Sequence, residues 1–228
     1  MATEFELIER WLAHLTADGP NVRQGIGDDC ALVELPPNQQ LAVSIDTLNA
    51  GVHFLERTDP ASIGWKALAC GLSDLAAMGA DPDWCTLALT LPEGDEAWLA
   101  AFVEGFGAIA TQHGMCLVGG DTTRGNSLSV TVQVAGHVPA GAALLRAGAT
   151  PGDQVYVSGS PGEAAAALDA ILRGVQAGLP DAALVARLER PEPRVRLGQL
   201  LRGRASACID VSDGLVADAG HIAQASGV

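Results

Sequence analysis

The sequence predicts an α/β protein (in the broad sense that includes α+β) built in two domains. Three observations carry that expectation. Apolar, β-branched runs alternate with stretches of helical periodicity, and glycine or proline punctuates most of the junctions between them. The composition also shifts near residue 139, where "PAGAALLRAGATPGD" separates two ordered regions. With 228 residues and 48% hydrophobic content the chain can bury one large core or two smaller ones. Aromatics are only 4%, so those cores must be built from Ala, Val, Leu and Ile.

The elements follow in order. "TEFELIERWLAHL" (3–15) has helical spacing and predicts an amphipathic opening helix, followed by a loop rich in Gly and Asp. "LAVSIDTL" (41–48) predicts a strand that ends in an acid. "DPASIGWKALACGLSDLAAMGA" (59–80) starts with Asp-Pro and repeats small apolar residues at three and four, which predicts a long, closely packed helix. A strand over 84–92 stops at Pro92, and a second helix over 95–114 is closed by Gly114. "MCLVGGDTT" (115–123) reads as a strand and then a turn at Gly119-Gly120, and "LSVTVQVAGHV" (128–138) alternates as a strand does. The expected domains are therefore 1–138 and 154–228, joined by a linker over 139–153. In the second part a strand is expected over 154–159, a helix over 162–175, helical segments to 201, a strand over 205–212, and a last segment from 213 to 226. This pattern needs more strands to cover its helices, so a truncated second domain is expected.

Charge and composition exclude several functions. Asp and Glu number 27 against 13 Lys and Arg, a net charge of −14, which disfavours nucleic acid or an anionic membrane as partner. The single lysine, Lys66, follows Trp65 and not a glycine, so neither a Walker A loop nor the lysine motif of protein kinases is present. The five cysteines are scattered without a C-x-x-C pair, which argues against a zinc site or a disulfide framework. No apolar run reaches roughly 18 residues and the N-terminus is acidic, so a soluble cytoplasmic protein is expected.

Chemistry is concentrated in aspartates. Asp28 and Asp29 in "GIGDDCA", Asp46 in "VSIDT", Asp121 in "VGGDTT", and Asp210 and Asp213 in "IDVSDGL" all sit at expected strand ends or in Gly-rich turns. Singly, each reads as ordinary turn chemistry, and Ser212 as a helix N-cap. Asp74 is different, because it lies within an apolar helix where a carboxylate needs a partner or a cation. Together the set suits oxygen-only ligation of a hard cation such as Mg²⁺. His53, seven residues after Asp46, and Arg146 in the linker are further candidates. Cys30 is a nucleophile only if a base adjoins it. The other histidines and the four tryptophans read as structural.

Five blocks in order, "GIGDDCA", "VSIDTLNAGVHF", "KALACGLSDLAAMGADP", "LVGGDTTRG" and "IDVSDGLVAD", resemble the thiamine-monophosphate kinase family over essentially the whole chain. Its wider superfamily includes aminoimidazole ribonucleotide synthetase. The resemblance implies a two-domain fold of that superfamily, its N-terminal sheet forming a β-barrel across a homodimer. It implies ATP, thiamine monophosphate and several Mg²⁺ ions in a cleft between the domains. Carried over by position, Asp29, Ser44, Ile45, Asp46, Asp74, Asp121, Asp210 and Asp213 would hold metal. Gly120, Asp121, Arg146 and Ser212 would contact ATP, and His53 would lie on the thiamine side. Family members commonly carry Thr at Ile45, where only a backbone carbonyl could serve here, and alanine at Cys30. A late Gly-Gly-Glu-Asp-Tyr block and a C-terminal aromatic of the family are absent.

The implied reaction is phosphorylation of thiamine monophosphate to thiamine diphosphate by in-line transfer from ATP. Its acceptor is a phosphate monoester whose second pKa is near 6, so it is already a nucleophile at neutral pH and no general base is needed. Two alternatives stand beside it: a ligase like aminoimidazole ribonucleotide synthetase, and a non-catalytic divalent-cation module.

Overall fold

The computed structural model describes residues 8–15, 19–92, 95–174 and 181–228. Strands β1 (Val22–Gln24) and β2 (Leu32–Val33) form a small antiparallel pair. The main sheet contains β3 (Gln39–Asn49), β4 (Asp81–Leu91), β5 (Cys116–Arg124) and β6 (Ser129–Pro139), in spatial order β3-β6-β4-β5. β6 runs antiparallel to both β3 and β4. β4 and β5 are parallel, so the chain must cross over between them.

Two 18-residue helices make the crossovers, α1 (Pro60–Ala77) and α2 (Glu96–His113). The Asp-Pro start works as expected: Asp59 accepts the Ser62 N–H at 3.0 Å and Pro60 takes the first helical position. Gly114 ends α2 in the left-handed conformation (φ 66°), as anticipated. The helices cover one sheet face. Val130, Val132 and Val134 of β6 and Leu87 and Leu89 of β4 are buried beneath Leu68, Leu72, Phe102 and Phe106. Close approach depends on glycine. An added Cβ at Gly105 would stand 1.8 Å from the Ala61 carbonyl oxygen, and one at Gly64 would stand 2.1 Å from that of Phe102.

The opposite face of the sheet is open. Leu41, Val43 and Ile45 project from β3 at 50%, 53% and 63% exposure. The Thr47 and Thr131 hydroxyls meet at 2.9 Å and those of Thr90 and Thr123 at 3.0 Å on this same side.

Beyond β6 the regular elements among the described residues are helices, α3 (Glu163–Arg173), α4 (Ala182–Glu189), α5 (Val195–Leu201) and α6 (Leu215–Ser226). α5 docks on α1, with Gly198 so close that a Cβ would meet the Ala76 carbonyl oxygen at 2.0 Å. A polar link joins the same regions, where Arg202 donates to both Asp81 carboxylate oxygens (3.1 and 3.2 Å) and Gln199 donates to one of them (2.7 Å).

Several expectations are corrected. Residues 154–159 and 205–212 form no strand; Val155 and Tyr156 are 84% and 89% exposed. A strand pattern needs a neighbouring ladder, and the described residues offer none there. Gly119-Gly120 is no turn, because β5 runs through it to Arg124, and a Cβ at Gly120 would meet the Leu87 carbonyl oxygen at 1.9 Å. β3 likewise continues past Asp46 to Asn49. Of the opening helix, residues 3–7 lie outside the described residues. The rest of it is a single π turn at Ile8–Leu12 and a 3₁₀ turn at Ala13–Leu15. Residue 175 of the expected 162–175 helix also lies outside the described residues.

Candidate active site

Three segments far apart in sequence meet on the helix side of the sheet at its β3 edge. β3 alternates, so Ser44 and Asp46 turn away from the open face that Val43, Ile45 and Thr47 occupy. α1 presents Asp74 to them, and the Ser44 hydroxyl donates to Asp74 Oδ2 at 2.5 Å. The segment ahead of α6 adds Asp210, whose Oδ2 accepts the Ser73 hydroxyl at 3.2 Å.

The electrostatics show one coupled group. Burial, then Asp210, raises the Asp46 pKa, with His53 opposing. Burial raises that of Asp74; the Ser44 hydrogen bond opposes this, Asp46 adds to it, and Arg146 opposes it. Burial and then Asp74 raise that of Asp210, which Ser73 and Arg146 counteract and Asp218 reinforces. Three acids that repel one another and are half removed from water have too little positive charge nearby. Arg146 is the cation that reaches two of them.

α1 brings more than Asp74. Lys66, Cys70, Ser73 and Asp74 fall at helical spacing on one stripe of the helix. The Lys66 ammonium donates to the His53 carbonyl at 2.8 Å, and burial lowers its pKa. The Asn49 N–H donates to His53 Nδ1 at 3.0 Å, so the neutral ring carries its proton on Nε2. Burial, with Asp46 next, pushes the Cys70 thiol up to about 11. Without a cation it stays protonated, and the carboxylates and hydroxyls around it make an oxygen donor set suited to a hard cation. A cavity of about 70 Å³ adjoins this stripe, between the 51–58 loop, Lys66, Leu168 of α3, and Leu188 and Glu189 of α4.

The remaining expected site residues stand elsewhere in the single chain. Asp28 and Asp29 are exposed in the turn between β1 and β2, where the Asp29 N–H donates to Asp28 Oδ1 at 2.8 Å. Asp213 and Ser212 are exposed ahead of α6, and carboxylate oxygens of Asp213 and Asp218 lie with a His221 ring nitrogen within 4.8 Å of one another. The side chain of Ile45 is on the open face, 63% exposed.

Asp121 corrects the expectation of one cluster. Asp46, Val132, Leu87 and Gly120 stand in one row across the sheet. Three strand spacings of about 4.8 Å separate its ends, roughly 14 Å. Asp121, one residue on, pairs with Ala88 and shares the open face with Thr123. Within one chain it is on the wrong face and at the wrong edge to share a cation with Asp46.

Sequence reasoning missed Ser73, Cys70 and the hydrogen bond from Lys66. Their common signal, i, i+4, i+7 and i+8 within "KALACGLSD", was available once Asp74 had been singled out.

The raised carboxyl pKa values carry a stability consequence. A carboxyl whose pKa is raised by folding contributes stability in full below the ordinary carboxylate range near pH 4, and that contribution is lost as pH rises through the raised value. Asp74→Asn removes the ionisation. Metal-free protein with this change is expected to melt a few degrees above wild type at pH 7, the gap closing toward pH 4; differential scanning calorimetry across that range checks it. A wild-type melting temperature that instead rises from pH 4 to 7 relative to the variant would contradict the electrostatic picture.

The family model described as AIR synthase related protein, N-terminal domain, matches residues 27–138. The thiamine-monophosphate kinase of Salmonella typhimurium (strain LT2) is 54% identical over 226 residues, 98% of this chain and 69% of that protein. The crystal structure of thiamine-monophosphate kinase from Stenotrophomonas maltophilia K279a superposes with a TM-score of 0.90 at 51% identity, covering 99% of this chain and 73% of that one. A structure of AaThiL complexed with AMPPCP and TMP superposes at 0.80 with 35% identity, covering 100% and 73%. Among the described residues no helix is long and apolar enough to cross a membrane. At 54% identity over 98% of its own length and 69% of the relative's, the chain belongs to the thiamine-monophosphate kinase family.

Proposed function

We propose that this protein phosphorylates thiamine monophosphate to thiamine diphosphate at the expense of ATP, and that Asp46, Asp74 and Asp210 form the heart of its metal site. The observation that carries the reading is that these three acids, from three separate segments, act on one another's ionisation, with the Ser44 hydroxyl on Asp74 and Arg146 beside Asp74 and Asp210. The ligands of the AaThiL structure, AMPPCP and TMP, support the choice of nucleotide and acceptor. In this reading residues 1–138 form the nucleotide- and metal-binding domain, 139–153 a linker, and 154–228 a second domain whose Asp210 reaches back to the first.

The donor set fits Mg²⁺: carboxylates and hydroxyls, with an excess of negative charge that a bound cation would relieve. Such ions, when bound, supply the positive charge that lets ATP at about −4 and a monoester at about −2 approach each other. The protein's own part is placement. Ser44 orients Asp74, Ser73 orients Asp210, and Arg146 adds a fixed charge for phosphate oxygens. Lys66 holds the backbone of the turn carrying His53, whose Nε2–H is free to donate to the acceptor. No side chain is required to remove a proton, since the acceptor phosphate is already anionic.

Asp121 enters this scheme from a second copy of the chain. Its place on the open, apolar sheet face supports a homodimer joined through that face, each site drawing Asp121 from its neighbour. The test is ADP release from ATP with Mg²⁺ and thiamine monophosphate, using the full-length protein, the Asp46→Asn and Asp121→Asn variants, and the two variants co-expressed. Wild type is expected to be active and each variant alone inactive. Random pairing makes half the dimers mixed, each with one intact site, so the mixture should regain about a quarter of wild-type activity. No ADP with thiamine monophosphate would sink the activity; no recovery in the mixture would sink the shared site.

A further inference from the structure

We propose that Asp218 is a positioning residue, the post around which the loop bearing Asp210, Ser212 and Asp213 is wound. Asp218 is only 2% exposed, although it is ionisable and lies on the first turn of α6. A buried carboxylate needs partners, and this one has three on a single oxygen. Its Oδ2 accepts the backbone N–H groups of Ser212 (3.0 Å), Asp213 (3.2 Å) and Gly214 (3.1 Å).

The pattern is not ordinary helix capping. A capping-box acid in the first turn accepts only the N-cap N–H, here that of Gly214, whereas Asp218 also gathers the amides of Ser212 and Asp213 ahead of it. Gly214 has φ 123°, a conformation open to glycine, which lets the chain curl back onto the carboxylate. With three consecutive amides turned inward, the side chains of Ser212 and Asp213 are left facing solvent. Upstream in the same loop, Asp210 reaches Ser73 of α1. Asp218 thus fixes the backbone from which the loop side chains reach metal and nucleotide.

This inference rests on the activity proposed above. Asparagine keeps an acceptor oxygen in place and loses the charge; glutamate keeps the charge and moves the acceptor by a methylene. Positioning predicts that Asp218→Asn stays within about threefold of wild type in KM for Mg²⁺-ATP, while Asp218→Glu and Asp218→Ala raise it at least tenfold, the scale of lost support to a metal site. Amide hydrogen exchange at residues 212–214 should quicken in the glutamate and alanine variants and stay slow in the asparagine variant. Rescue by glutamate and not by asparagine, or unchanged exchange in all variants, would overturn the proposal even if the alanine variant fails to fold. Asp210→Asn, assayed in parallel, separates the two levels. Full activity in that variant counts against the reaction site itself. An inactive Asp210→Asn beside normal Asp218→Glu counts against the positioning role alone.

Discussion

Asparagine at position 46 is expected to lower turnover by about two to three orders of magnitude at saturating Mg²⁺, the usual cost of removing one preorganised electrostatic group from a reacting centre. The substitution keeps the shape of the side chain and a carbonyl oxygen but discards the charge. The Ser44–Asp74 hydrogen bond does not involve Asp46, so the neighbouring geometry survives. Asp46 is also one of the acids whose ionisation opposes folding, so the variant should be no less stable than wild type. ADP release measured beside a thermal melt separates loss of chemistry from loss of fold. Turnover within threefold of wild type would end the case for a metal site built on Asp46.

The second large effect concerns the fold. Overpacking in Gly105→Ala is expected to cost about 3 kcal/mol, near the upper end of its range, because both sides of the contact are backbone. The new Cβ would stand 1.8 Å from the carbonyl oxygen of Ala61 and 2.5 Å from its carbonyl carbon, so α1 and α2 must separate. Alanine's better helix propensity returns only about 1 kcal/mol. For a chain of this size the net loss of about 2 kcal/mol corresponds to a drop of about 4–8 °C in melting temperature. Gly220→Ala in α6 is the internal control, since nothing lies within 4 Å of its Cβ. It should gain stability where Gly105→Ala loses it; matching losses would show that the α1–α2 contact is not special. The effect reaches the site too, because α1 carries both Ser73 and Asp74.

Much of this was legible in the sequence between residues 39 and 139, where period and punctuation agree. Strand alternation in "LSVTVQVAGHV" and small-residue spacing in "IGWKALACGL" each have one solution when sheet and helix pack face to face. Legibility failed where side-chain identity stopped informing. Gly119-Gly120 resembles a turn because glycine carries no face, so the parity that sends Asp121 to the open side could not be read. The segments 154–159 and 205–212 have strand composition, but pairing depends on neighbours and not on composition. Asp74 stood out as an acid inside an apolar helix that needs a partner, and the structure gives it the Ser44 hydroxyl, with Asp46 adding repulsion. Asp218 gave no signal at all, since its partners are main-chain amides, which every residue but proline possesses.

Leu41, Val43 and Ile45 form a row of exposed apolar side chains. An oily surface on a polypeptide carrying fourteen excess negative charges sets two long-range tendencies against each other. Coulomb repulsion keeps copies apart in dilute buffer, and mobile ions shorten its reach to about 8 Å at physiological strength. Self-association through this surface is therefore strengthened by added electrolyte, the reverse of a complex held by opposite charges.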